Sequence, residues 1–306
     1  MSKLLITGGT GTVGVAFCKY ALKNNLFDSI VMLSRNERAQ VFIKKSINSN
    51  IVDFIIGDIR DRDAVKNAMQ GCTHVLHTAA LKHIDIIEDN YEEALKTNIL
   101  GSQNIISVSK ELSSDRSIKI VYISTDKACN PNSMYGSTKL TAEKMFSCAS
   151  TDRHTNASIR FGNILGSNGS IFEYWNSNKD KQILITDNRI ERYIVDIDTV
   201  TSFIKFVFDN MVGGEVFIPK MNNIKILDIA KLFSNNIIED GLRSGEKMTE
   251  RLYSDEESNR TIERDNYYLI KPNIKRFRYF SYNETSSDGF INNYIDLNGI
   301  ARFFNL

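Results

Sequence analysis

The chain has 306 residues, 42% hydrophobic and 25% charged, with 38 basic against 37 acidic side chains and a formal net charge of +1. That balance is ordinary for a globular protein and leaves no basic excess for generic nucleic-acid binding. No run of about 18 apolar residues is present to span a membrane, and the N-terminal MSKLLITGG enters a strand at once, without the features of a secretory signal.

Residues 3–6 (KLLI) read as a short apolar strand, followed by the loop TGGTGTVG at 7–14. A helix over 13–24 follows, with Val13, Phe17, Tyr20 and Ala21 at helical spacing. Further strands are expected at Ser29–Leu33, Ile51–Ile56, His74–His77 and Ile118–Ile123, and helices at 62–70 and, as one long element, 91–111. Continuous apolar strands alternating with helices indicate a parallel sheet covered on both faces. The fold class is therefore α/β: a doubly wound Rossmann sheet, with a smaller C-terminal α/β substrate-binding domain.

The pattern holds to residue 162. Residues 163–192 are loop-rich, 196–212 read as a helix, 215–218 (EVFI) as a strand and 226–236 as a helix, followed by GLRSGEKMTERL and a polar tail. No linker composition separates the parts. The division expected is 1–162 plus 193–220 for the dinucleotide domain and 163–192 plus 221–306 for the substrate region. Cysteines 18, 72, 129 and 148 and the four histidines show no metal-ligand spacing. We read the thiols as free in a reducing cytoplasm and expect no metal.

In such sheets ligands lie at the carboxyl ends of the strands. Gly8, Gly11 and Gly14 form G-x-x-G-x-x-G between strand and helix. The first allows a tight turn, the second a close approach of pyrophosphate, the third close helix packing, with Thr10, Thr12 and Val13 completing the cradle. At the second strand end, Ser34-Arg35 replaces the acidic residue that would bind an NAD ribose. A hydroxyl and a guanidinium suit a 2′-phosphate, so NADP is expected and NAD fits less well. Asp58-Ile59 ends the third strand; its carboxylate either accepts from the adenine or caps the next helix. Ala79 and Ala80 leave room for the cofactor, and Lys82 and Asn98 are further candidate contacts. Tyr135 and Lys139 form Y-x-x-x-K, one helical turn apart. A neighbouring ammonium lowers a phenol pKa and suits Tyr135 to proton exchange. Ser124-Thr125 ends the fifth strand.

These stretches resemble the extended short-chain dehydrogenase/reductases. Within them, LSRNE (33–37), GDIRD (57–61), HTAALKH (77–83), KTNILGSQN (96–104), STDKACNPNSMYGSTK (124–139), RFGNILGSNGS (160–170), GGEVFIPKM (213–221) and GLRSGEKMTERL (241–252) are similar to the inverting UDP-N-acetylglucosamine 4,6-dehydratases of surface-glycan biosynthesis. The resemblance implies oxidation at C4 with Tyr135 as base, loss of water across C5–C6, and hydride return to C6. It makes Asp126 the acid at the C6 hydroxyl, Lys127 the C5 base and Thr125 a partner of the C4 oxygen. It places Lys82, His83, Asn163, Arg192, Arg243, Glu246 and Lys247 on the substrate side, implies a UDP-sugar and suggests a homo-oligomer. Departures are Thr78 for an expected alanine, Asp85 for proline, Cys129 for a smaller residue, and a weak match beyond 272. Rival readings are a UDP-sugar 4-epimerase or C5-epimerising relative, which does not need the Asp126–Lys127 pair, and a silent NADP-binding regulator, which does not need Tyr135 and Lys139.

Overall fold

The computed structural model describes residues 1–273 and 289–306. Strands β1 (Lys3–Thr7), β2 (Ser29–Ser34), β3 (Val52–Ile56), β4 (His74–His77), β5 (Ile118–Thr125) and β6 (His154–Phe161) alternate with helices α1 (Thr12–Lys23), α2 (Glu37–Ile47) and α3 (Arg62–Met69), with α4 (Ile84–Asp89), α5 (Tyr91–Ala94) and α6 (Gly101–Leu112) between β4 and β5, and α7 (Met134–Ala149) after β5. Short strand β7 (Asn163–Ile164), helix α8 (Ile171–Ser177) and strands β8 (Ile183–Ile185) and β9 (Glu191–Val195) follow, then α9 (Ile197–Asn210), β10 (Val216–Pro219), β11 (Asn222–Lys225) and α10 (Ile226–Phe233). The chain continues through β12 (Ile237–Glu239), α11 (Asp255–Ser258), β13 (Thr261–Glu263), β14 (Tyr267–Ile270) and α12 (Leu297–Phe304).

The main sheet has the order β13-β14-β10-β6-β5-β4-β1-β2-β3. It is parallel from β3 through β10, and β14 and β13 add antiparallel at its edge. Strand order reverses between β1 and β4, which opens a crevice at their carboxyl ends. Alternation along each strand explains both helical layers. Leu4, Ile6, Ile30 and Met32 pack with Phe17 of α1 and Phe203 and Val207 of α9. Leu5, Val31 and Leu33 point the other way, toward Val65, Ile105 and Phe146 of α3, α6 and α7. Each fully buried side chain of this kind contributes about 1.5–3 kcal/mol. A separate core of Phe172, Trp175, Ile183, Ile194, Ile229, Phe233 and Ile300 holds the smaller unit. That unit contains the sheets β11-β9-β7 and β12-β8.

Three features differ from the sequence reading. The 91–111 helix is interrupted by a π-helical turn at Leu95–Leu100, a wide-turn insertion frequent at functional sites; Asn98 lies within it. Helix α2 arises where no helix was expected, started by Asn36, whose Oδ1 accepts from the Ala39 amide at 3.0 Å. The β13–β14 hairpin, assigned by sequence to the substrate region, belongs to the main sheet, because Val216–Pro219 offers it a free edge. Residues 274–288 of that region lie outside the described residues.

Candidate active site

Gly8 takes a φ of +66°, and a Cβ there would lie 2.8 Å from the Cα of Ala79. The Gly11 amide donates to the Gly8 carbonyl at 2.8 Å, and a Cβ at Gly14 would meet that same carbonyl at 2.9 Å. Any side chain at 8 or 14 therefore breaks the loop. Helix α1 begins without a side-chain cap, so its first amides are open to an anion. The Thr78 hydroxyl donates to the Thr7 carbonyl at 2.8 Å, which gives the departure from alanine a structural use. Below the loop, His77 Nδ1 lies 2.6 Å from Thr7 Oγ1 and Nε2 lies 3.1 Å from Ser102 Oγ. Burial, with Lys139 nearby, pushes this histidine down to about 3, so it is a neutral structural bridge.

A cleft of about 590 Å³ runs from this loop across the strand ends. Gly8, Thr10, Gly11, Thr12, Val13, Ser34, Arg35, Asp58, Ile59, Ala79, Ala80, Lys82, His83, Thr125, Lys127, Tyr135, Lys139 and Asn163 all line it. Gly14 lies beneath the loop, and Asn98 sits behind the cleft rather than in its wall. Its Oδ1 accepts from the Leu81 amide at 2.8 Å, and its Nδ2 donates to the Leu81 carbonyl and to Thr138 Oγ1. Asn98 thus braces the segment after β4.

At one end, Ser34 Oγ accepts from Gln40 Nε2 at 2.9 Å, leaving its own proton to donate. Arg35 is 54% exposed, with Nη1 3.7 Å from Asp58 Oδ2. Asp61, not Asp58, caps α3. Burial raises the Asp58 carboxyl, but the hydrogen bonds and charge of Arg60, with Arg35 behind them, outweigh it and hold the group below its ordinary range.

At the other end, Thr125 Oγ1 donates to Asp126 Oδ1 at 2.8 Å, and Lys127 Nζ donates to the same oxygen at 3.0 Å and to Asn163 Oδ1 at 3.3 Å. Asp126 is fully buried, and its Oδ2 has no hydrogen-bond partner. Helix α7 is capped by Ser133, whose Oγ accepts from the Gly136 amide at 3.2 Å, and presents Tyr135 beside this turn. Desolvation pushes the Tyr135 phenol above its ordinary range; Asp126 adds to this and the Thr125 hydrogen bond opposes it. The lowering by Lys139 expected from the i,i+4 spacing is not realised. Lys139 Nζ donates instead to the Ile123 carbonyl at 2.6 Å and lies 4.3 Å from the centre of the Tyr122 ring. Burial brings its own pKa down to about 7 against the pull of Glu143.

Arg192, Arg243, Glu246 and Lys247 come from the smaller unit and stand outside the cleft wall. Buried Arg192 pairs with Glu246 at 2.9 Å. Arg243 pairs with Asp85 at 3.3 Å, so the aspartate found in place of proline bridges the two units. Lys247 Nζ donates to the Cys129 carbonyl at 2.7 Å, and Gly245 packs against Ser133 at the start of α7. Lys82 Nζ holds Ser167 and the Asn168 carbonyl, at 2.9 and 2.7 Å, while the Asn168 amide donates to Thr12 Oγ1 at 3.0 Å. His83 packs against Gly169. Sequence reasoning missed Gln40 and Glu250; the available signal for Glu250 was its place three residues after Lys247. No cluster of metal ligands occurs among the described residues. No helix among them is long and apolar enough to cross a membrane.

The glycine loop at the switch point and Tyr135 and Lys139 beside Thr125 define an extended short-chain dehydrogenase/reductase. The family model described as polysaccharide biosynthesis protein matches residues 4–272, and the chain belongs to this family. A Campylobacter jejuni protein named UDP-N-acetylglucosamine 4,6-dehydratase (inverting) is 38% identical over 281 residues, covering 89% of this chain and 83% of its own. A Rickettsia bellii protein named UDP-glucose 4-epimerase is 30% identical over 294 residues, covering 91% of this chain and 85% of its own. The solved structure of Pen from Bacillus thuringiensis superposes with a TM-score of 0.83 at 32% identity, covering 88% of this chain and 89% of that one.

Proposed function

We propose that the chain is a sugar-nucleotide 4,6-dehydratase that acts on UDP-N-acetylglucosamine with NADP as resident cofactor and inversion at C5. The observation that carries the reading is the Lys127–Asp126 hydrogen bond of 3.0 Å beside Thr125 and Tyr135. The 38% identity to a protein bearing that activity's name supports it.

The cradle fits a dinucleotide: bulk at Gly8 or Gly14 would strike backbone, and the free amides of α1 suit pyrophosphate. Ser34 and Arg35 favour a 2′-phosphate at the adenosine end. When bound, the nicotinamide supplies the hydride acceptor and donor for the sugar carbons. Once its own proton has been released to solvent, Tyr135 takes the C4 hydroxyl proton as a phenolate, and Thr125 holds the C4 oxygen. The resulting ketone acidifies the C5 proton. Passage of one proton from Lys127 to Asp126 along their hydrogen bond yields a neutral amine and a carboxylic acid. Those are the forms needed to remove the C5 proton and to protonate the departing C6 hydroxyl. Arg243 and Lys247 are the cations offered to the nucleotide diphosphate, and Glu246 holds Arg192 in place beside them.

The test is incubation of purified protein with UDP-N-acetylglucosamine, without added reductant, and measurement of product mass. Loss of one water is expected. An unchanged mass with a new C4 epimer would instead assign the site to 4-epimerisation.

A further inference from the structure

One buried carboxylate beside the proposed acid–base pair has no part in the steps above. Glu250 is 4% exposed and enters from the smaller unit, five residues after Gly245, which packs on the start of α7. Its Oε1 lies 3.9 Å from Lys127 Nζ and its Oε2 3.3 Å from Lys247 Nζ. Asp126 and Glu250 are the carboxylates within ion-pair distance of Lys127 among the described residues. Together Asp126, Lys127, Lys247 and Glu250 form a cluster of no net charge across the seam between the units.

We infer that Glu250 is a positioning residue for the proton step at Lys127, stabilising the ammonium that forms when Lys127 takes the substrate proton. The inference rests on the dehydratase reading. In that reading Asp126 carries a proton until the C6 hydroxyl leaves. After C5 is deprotonated, the proton resides on the Lys127 nitrogen and the C5–H electron pair on the sugar. Asp126 is then neutral and offers the new ammonium no opposite charge. Glu250 takes no part in that proton exchange and keeps its Oε1 3.9 Å from Lys127 Nζ. A half-buried charge without a counter-ion is costly, so removing Glu250 raises the barrier to this step alone. Lys247 Nζ lies 3.3 Å from the other oxygen of the same carboxylate and donates to the Cys129 carbonyl, which ties Glu250 to the turn before α7.

The test uses full-length enzyme with NADP and UDP-N-acetylglucosamine in deuterated water. Single-turnover nicotinamide absorbance reads C4 oxidation, and mass spectrometry reads deuterium at C5. Glu250→Gln is expected to slow C5 exchange roughly tenfold or more while C4 oxidation stays within about twofold. Glu250→Asp, which keeps the charge, recovers most of the exchange. Equal loss of both steps, or unaltered exchange, overturns the inference. Should Glu250→Gln fail to fold, the double variant Lys247→Met/Glu250→Gln keeps the seam neutral, and wild-type exchange in it overturns the inference equally. A wild-type enzyme that neither exchanges C5 nor loses water overturns the dehydratase reading itself, a result distinct from exchange that ignores Glu250.

Discussion

The backbone of Gly136 lies so close to that of Lys127 that a Cβ at position 136 would fall 2.3 Å from the Lys127 carbonyl oxygen. This contact seats the helix bearing Tyr135 and Lys139 directly on the turn bearing Asp126 and Lys127. Two motifs that are separate in sequence therefore share one wall of the cleft.

Gly136→Ala is expected to push the helix off the turn. Overpacking of this kind costs about 1–3 kcal/mol of stability, and turnover should fall at least about tenfold because reacting groups tolerate little displacement. Thermal unfolding and product formation measured together check this. Wild-type turnover in a folded variant would remove the contact from any role in alignment.

Arg35→Asp replaces the exposed guanidinium at the adenosine end with a group that repels a 2′-phosphate and accepts from a ribose hydroxyl. NADP affinity should fall at least about tenfold relative to NAD. Calorimetric titration of both dinucleotides against wild type and variant decides the matter. Unchanged relative affinities would count against NADP.

Lys139 has a folded-state pKa brought to about 7 from 10.5 by burial. The unfolded chain then binds more protons than the folded one between those values, so stability at this site rises as pH rises through that window. Below the folded value the penalty is constant. Wild type should therefore gain stability relative to Lys139→Met by roughly 1.4 kcal/mol per pH unit above neutrality. Denaturant unfolding from pH 6 to 10 measures the difference. A difference that stays flat with pH would refute the depressed value.

Arg160 is fully buried between Glu143 at 2.7 Å and Glu257 at 2.8 Å, and its Nη1 also donates to the Leu252 carbonyl. Because Glu257 belongs to α11 and Arg160 to β6, the triad clasps the C-terminal segment to the main sheet. Glu257→Ala should destabilise by about 3–5 kcal/mol, the usual result of stripping one partner from a buried ion. Burial raises the Glu257 carboxyl, but hydrogen bonds and charge from Arg160 outweigh it and hold it below 4.5. Its contribution is thus complete above pH 4.5 and is lost as pH falls through the lower folded value. The gap between wild type and variant should narrow in acid, as followed by circular dichroism.

Most of the cleft was legible in the chain because its parts are local. Gly8, Gly11 and Gly14 follow an apolar strand and precede a helix; Ser34-Arg35, Asp58, Ala79-Ala80 and Thr125–Lys127 each end a strand. A parallel sheet brings strand ends together whatever the details of packing. Tyr135 and Lys139 need only one turn of helix to be neighbours. Asn98 was placed on the inner side of its helix correctly, yet its amide is spent on Leu81 and Thr138, which no spacing reveals. Glu250 lies within GLRSGEKMTERL, but only its approach to Lys127 and Lys247 in space singles it out.

The chain by itself determined the alternation of strands and helices, the phosphate cradle and the residue types at each strand end, since backbone periodicity and side-chain chemistry are properties of short segments. Only the tertiary structure decided how those groups are charged and held. Burial sets Lys139 near neutrality, Asp126 accepts from Thr125 and Lys127 at once, and the β13–β14 hairpin and Glu257 lock the C-terminal segment to the sheet. Desolvation and Coulomb energy depend on what lies within a few ångströms in space, and sequence distance says nothing about that.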